Sequence, residues 1–231
     1  QSTACYMGTY SSGSSVVLLN HGGADAFVAC YSKGPVYVQW VQGFGGTDED
    51  KAFDMAMDSS SNIYVTGHFN DTASFSTKTL TAGGSASEAF ACKLNSTGGV
   101  QWAKAARQYG SGSDANGVST GRGIAVDPEG CNVYITGQYQ GYVDFDPRSS
   151  TTDWMYGPVC AYCQCYKVFL WNLETDGSYK STEENGLDGE NMGYAVTVDP
   201  LGDVYTTGYF SDDTDCPPYD EDYGKIFIWK K

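Results

Sequence analysis

The chain has 231 residues and carries 28 acidic against 13 basic side chains, a formal net charge of −15. That balance argues against nucleic acid, whose phosphates need Lys and Arg opposite them, and against anionic membrane surfaces; cations and basic partners stay open. Hydrophobic residues at 41% set wholesale disorder aside, and no apolar run approaches the ~18 residues of a membrane span, so no membrane insertion is expected.

Strand-like sequence begins at once after Gln1, which reads as a mature terminus left by signal-peptide removal. ACYMGTY (4–10), DAFVACYSKG (25–34) and VYVQW (36–40) are three short strands. MAMDSSSNIYVTGHF (55–69) then sets a pattern that IAVDPEGCNVYITGQY (124–139) and VTVDPLGDVYTTGYF (196–210) repeat. Each has an apolar run, a turn opened by Asp58, Asp127 or Asp199, and a second run reaching Gly67, Gly137 or Gly208. In the second run Ile63, Val65 and Phe69 share one face and Tyr64, Thr66 and His68 the other, the period-two signature of a hairpin strand. After a loop comes a third strand, in EAFACKLNSTGG (88–99), KVFLWNLETDG (167–177) and KIFIWKK (225–231). VQWAK (100–104) supplies a fourth, whereas Ser181 stands where Trp102 stood, so the third copy is expected to have lost its fourth strand.

Four short antiparallel strands, repeated about every seventy residues across Gly-rich turns, are the pattern of a propeller blade. The expected fold is all-β: one repeat domain over 1–231, in units of approximately 1–46, 47–110, 111–182 and 183–231. Two units are whole and two partial, the first lacking its first strand and the last its fourth. The array is then open or completed between molecules.

The string from Ala52 to Phe69, with Thr79 to Gly84 and Glu88 to Lys104, reads A-x-A-x-D-x-x-x-N-x-Y-V-T-G-x-F, T-L-T-x-G-G and E-A-F-x-x-K-L-x-x-x-G-x-x-x-W-A-K. It resembles the SBBP-type β-propeller repeat of extracellular and surface proteins. The match is close in the second unit, good in the hairpins of the third and fourth, and looser in the first. The resemblance implies a propeller fold and an extracellular setting. It carries over no catalytic residues, and fold does not supply function.

Asp at the first position of a tight turn bonds its own backbone, so Asp58, Asp127 and Asp199 are read as structural. Ca²⁺ needs six to eight oxygens, and the acidic runs Asp48-Glu49-Asp50, Asp212-Asp213-x-Asp215 and Asp220-Glu221-Asp222 are candidates, none of which fits an EF-hand loop. Asp212, Asp213 and Asp215 are the ones proposed as a calcium site; no other cofactor is implied. Eight cysteines indicate an oxidising compartment: Cys5, Cys30, Cys92, Cys131, Cys160, Cys163, Cys165 and Cys216. Cys131 is an insertion in its turn, and CAYCQC (160–165) lies in the longest loop of the same unit, so these four are expected to staple that loop to the hairpin. Cys5 and Cys30, on neighbouring strands, are a second pair. Asn70-Asp-Thr72 and Asn95-Ser-Thr97 are N-glycosylation sequons expected on exposed loops.

Catalysis finds little support, since His21 and His68 belong to different units and no G-x-S-x-G elbow is present. Two carboxylates could act together as in glycosidases, but nothing marks out a pair. The expected function is a secreted, glycosylated structural protein that assembles head to tail into a filament or surface layer. Its terminal faces would be apolar, with Tyr6, Phe27, Phe227 and Trp229 needing cover, and Cys92 or Cys216 could lock the joint. The alternatives are an extracellular adhesion or carbohydrate-binding propeller and, after it, a secreted hydrolase.

Overall fold

A computed structural model of the chain describes residues 4–84, 86–108, 117–148, 152–158, 165–185, 189–210 and 225–231, and every regular element in them is a β-strand. The first unit contains β1 (Ala4–Thr9), β2 (Ser15–Leu19), β3 (Ala26–Tyr31) and β4 (Val38–Gly46). The second contains β5 (Lys51–Met57), β6 (Ile63–Phe69), β7 (Thr72–Phe75), β8 (Lys78–Thr81), β9 (Glu88–Leu94) and β10 (Val100–Ala105). Short β11 (Arg107–Gln108) leads to β12 (Val118–Val126), β13 (Asn132–Gln140), β14 (Tyr142–Asp144), β15 (Trp154–Tyr156), β16 (Lys167–Glu174) and β17 (Tyr179–Glu184). The last unit has β18 (Asn191–Val198), β19 (Val204–Phe210) and β20 (Lys225–Lys230).

Local chemistry makes the hairpins. Asp58 Oδ1 accepts from the amides of Ser60 and Asn62, both at 2.9 Å, and Oδ2 accepts from the Tyr64 hydroxyl. Asp127 receives the amides of Cys131 and Asn132, and Asp199 those of Leu201 and Asp203. Burial pushes these three carboxyls up, but the donors converging on each outweigh it and hold all three below the ordinary value. The turn aspartates are structural, as expected.

The second and third units are four-stranded antiparallel blades, β5-β6-β9-β10 and β12-β13-β16-β17, and the fourth is a three-stranded sheet, β18-β19-β20. Their faces stack. Ala26, Val28 and Phe44 of the first unit share a core with Ile63, Val65, Phe90 and Leu94 of the second. Tyr64, Ala91 and Trp102 on the opposite face of the second meet Ile135, Phe169, Trp171 and Leu173 of the third. Each first strand leans on the preceding blade, β12 over β5, β6 and β9, and β18 over β12, β13 and β16. That approach is close enough to require glycine. A Cβ on Gly121 would lie 2.1 Å from Thr66 Oγ1, and one on Gly193 would lie 2.4 Å from Thr136 Oγ1.

Four expectations change. The segment after β6 is a hairpin, β7-β8, rather than a loop, and it pairs with the end of β4 (Gly45 opposite Ser74). β14-β15 does the same with β11, so the second and third units each clasp the tail of the one before. β17 exists: Ser181 stands opposite Asn172 as Trp102 stands opposite Lys93, because the ladder is made by backbone groups that a missing Trp does not remove. Tyr179 packs on the core there, and its hydroxyl donates to Asp153. β1 pairs with β2 in its own two-stranded sheet and not with β3, so Cys5 and Cys30 are not cross-strand neighbours. Finally, the exposed strand residue of the last unit is Ile228, with Trp229 half-buried, while Tyr6 and Phe27 are exposed as expected. The Phe227 side chain lies outside the described residues.

Candidate functional site

The first strand of each of the last three units carries one residue more than its partner can match. In β5 the ladder passes from Ala52 opposite Gly67 to Asp54 opposite Thr66, skipping Phe53. Arg122 in β12 and Tyr194 in β18 are skipped in the same way. These are β-bulges, which bend a strand and re-aim one side chain. They also explain the repeated glycine of the second strand. A Cβ on Gly67, Gly137 or Gly208 would lie 1.8, 1.9 or 1.9 Å from the carbonyl oxygen of Lys51, Thr120 or Met192. Bulge and glycine come as a pair, once per unit.

Stacking the blades brings the three bulges into one row. The Arg122 guanidinium lies 5.2 Å from the Phe53 ring centroid and 5.8 Å from that of Tyr194, a cation–π contact on each side. Gln138 Oε1 accepts from Arg122 Nε at 2.7 Å and fixes the fork. His68 flanks Phe53 at 5.5 Å, and Tyr209 stacks on Tyr194 at 6.1 Å with 28° between the planes. Phe53 and Tyr194 are exposed, while Arg122, His68 and Tyr209 are half-buried. Burial, then the charge of Lys51, pulls His68 below the ordinary imidazole value, so its ring is neutral at pH 7. Burial and a hydrogen bond to Glu190 push the Tyr209 hydroxyl up. The row offers aromatic faces, a neutral imidazole and a cation, with the Glu190 carboxylate at its Tyr209 end.

The residues singled out in the sequence lie elsewhere, His68 excepted. His68 is part of the row. His21 Nδ1 is 3.4 Å from Asp25 Oδ2, and both line a cavity of about 700 Å³ with Cys5, whose thiol contacts Met7 Sδ and not the histidine. Asn70 is half-buried and its Nδ2 donates to the Glu49 carbonyl at 2.5 Å. Asn95 is also half-buried, but its Oδ1 takes the turn donors Thr97 and Gly99 and leaves Nδ2 without a partner among the described residues. Glu49 pairs with Lys51 at the surface, and Asp50 is buried on the amides of Gly46 and Asn70, which occupy both of its oxygens. Among the described residues no group of three or more His, Cys, Asp or Glu is placed to hold a metal. Asp212, Asp213 and Asp215 lie outside them.

Cys5, Cys30, Cys92 and Cys131 are free thiols, which corrects the expected Cys5–Cys30 pair and the staple through Cys131. Cys30 is turned to Gln39 Oε1 at 3.2 Å, and Cys131 stays exposed on its turn beside the Glu129 carbonyl. Cys92 is buried in the core between the first two units, where burial pushes its thiol far up, so it cannot lock a joint between molecules. Cys165 is buried and disulfide-bonded. Cys160, Cys163 and Cys216 lie outside the described residues. The bulge row went unseen, although a signal existed: Phe53, Arg122 and Tyr194 each stand five residues before a turn aspartate, between small neighbours, and differ from unit to unit. No protein-family model matches the sequence, and no curated protein is similar to it.

Proposed function

We propose that this is an extracellular, glycosylated structural module that self-associates head to tail, the free face of its fourth unit receiving the rear face of another copy's first. The observation that carries this reading is a mismatch in cover. Ile228 is 75% exposed, whereas Leu170, its register equivalent in the third unit, is 3% exposed beneath the next blade. Thr207 is likewise exposed, while Thr66 and Thr136 are sealed by the following unit's glycine. At the other end Phe27 is 50% exposed where Phe90 and Phe169 are buried. A face shaped to take a blade is best filled by a blade, and contacts between unlike ends propagate as a filament or close as a ring.

Sedimentation of the native protein should show size growing with concentration. Ile228→Glu combined with Thr207→Arg should leave a monomer with unchanged far-ultraviolet circular dichroism. A monodisperse wild-type monomer at high concentration, or an equally associating variant, would remove the proposal. In secreted material, Asn95→Gln should lose one glycan mass step, because Asn95 stands in a sequon on a turn and its amide nitrogen has no partner among the described residues. Intact-mass spectrometry reads this directly, and sugar on Asn70 alone would contradict it.

A further inference from the structure

The bulge row is made of residues other than Ile228 and Thr207, and its chemistry is of a different kind. The chain carries 28 acidic residues against 13 basic ones, so an arginine here has carboxylates in plenty to pair with. Arg122 pairs with none among the described residues. Among the described residues its one polar partner is the neutral Gln138, through Nε, and neither terminal nitrogen of the fork has an acceptor there. Phe53 and Tyr194 hold the guanidinium between them while keeping much of their own ring surface in solvent. An arginine that only stapled blades together would need its two faces; among the described residues this one also keeps its hydrogen-bonding edge unused.

We infer that the row is a binding site for an acidic glycan. A guanidinium fork matches a carboxylate or sulfate with two parallel N–H···O bonds, a geometry that the point charge of lysine does not reproduce. Aromatic side chains beside it present the apolar, low-entropy surface on which the C–H face of a sugar ring packs. An alternation of ring, cation and ring, continued by His68 and Tyr209, fits a chain of sugar rings better than a compact ion. The oxyanion is the uronate carboxylate or the sulfate ester of such a sugar. Three different residues at one repeated backbone position give the site a composition that no single unit could have. The scaffold is the bulge, and the specificity is in what each bulge carries.

The test is titration of the intact protein by isothermal calorimetry with a galacturonic acid hexamer, a sulfated galactose oligomer, a neutral galactose hexamer and a glutamate hexapeptide. One or both acidic sugars should bind, more weakly as salt is raised, and the neutral sugar and the peptide should not. Arg122→Lys keeps the charge but not the fork and should weaken binding at least about tenfold. Phe53→Ala, at an exposed ring, should weaken it by a similar factor at an unchanged thermal midpoint. Binding by the uronate alone or by the sulfate alone identifies the oxyanion, and either supports the inference. Equal binding of neutral and acidic sugars, preference for the peptide, full affinity in Arg122→Lys, or no binding of either acidic sugar at millimolar concentration overturns it. The assembly reading survives any of these results, because Ile228 and Thr207 do not belong to the row.

Discussion

Gly137→Ala is expected to cost more than about 3 kcal/mol and to leave the third blade unable to form. The reason is the atom it would meet. A Cβ at this position would sit 1.9 Å from the Thr120 carbonyl oxygen and 2.9 Å from its carbon, both backbone atoms of the paired strand β12. Backbone in the middle of a blade cannot yield as a side chain can. Moving it would unseat Gly121 from Thr66 of the preceding blade and displace the neighbouring bulge. Gly43→Ala is the comparison, since the nearest atom to a Cβ there is Leu18 Cδ2 at 3.3 Å, the far end of a side chain. That variant should stay within about 1 kcal/mol of wild type. Urea unfolding followed by circular dichroism measures both. Two similar, small losses would show that the glycine is incidental to the bulge.

Stability should fall as pH rises from about 4 to 7, against the habit of proteins held by salt bridges. Asp50 is 2% exposed, and burial raises its carboxyl to about 6 even though it accepts hydrogen bonds from the amides of Gly46 and Asn70. An acid whose folded value is raised contributes stability that is complete below its unfolded value near 3.8 and is lost as pH climbs through 6. After allowance for screening by solvent the loss is about 1–2 kcal/mol for this residue. Glu88 and Asp144, also raised first by burial, act in the same direction. The turn aspartates oppose it only in stronger acid, because their lowered values place their loss below pH 4, whereas His68, held below the ordinary imidazole value, opposes it as pH falls below 6.5 and offsets part of the trend. Asn stands at the matching register position in the fourth unit, Asn191, so Asp50→Asn is compatible with the fold. It should be less stable than wild type at pH 4, where one amide loses its acceptor, and equal or better at pH 7. Thermal midpoints across that range would show the curves crossing; a flat wild-type profile would rule the effect out.

The site's legibility divides along the same physical line as the fold's. His68 could be placed on its strand face from alternation alone, and its equivalence to Gln138 and Tyr209 followed from the repeat. That it touches Phe53, and that Arg122 lies between Phe53 and Tyr194, depends on how far each blade is rotated against the next. The expected Cys5–Cys30 pair fails for the same reason. Cys5 and Cys30 are partners only if β1 pairs with β3, and that choice between β2 and β3 is made by competing hairpins.

What the sequence by itself determined is what a few adjacent residues can enforce. Asp58, Asp127 and Asp199 close turns on their own neighbours, and strict alternation around Val65, Ile135 and Thr206 sorts the side chains of each strand onto two faces. Hairpins, blades and the all-β class follow from those interactions, which need no contact more distant than the next strand. Tertiary structure alone decided the rest. The β7-β8 clasp on β4, the survival of β17 without its tryptophan, and the row through Phe53, Arg122 and Tyr194 all join residues from different units or rest on pairing register. A bulge changes register by one residue without changing composition. Its outcome is set by the fit of a carbonyl over a glycine and of one blade on another, and no local preference in the chain encodes that fit.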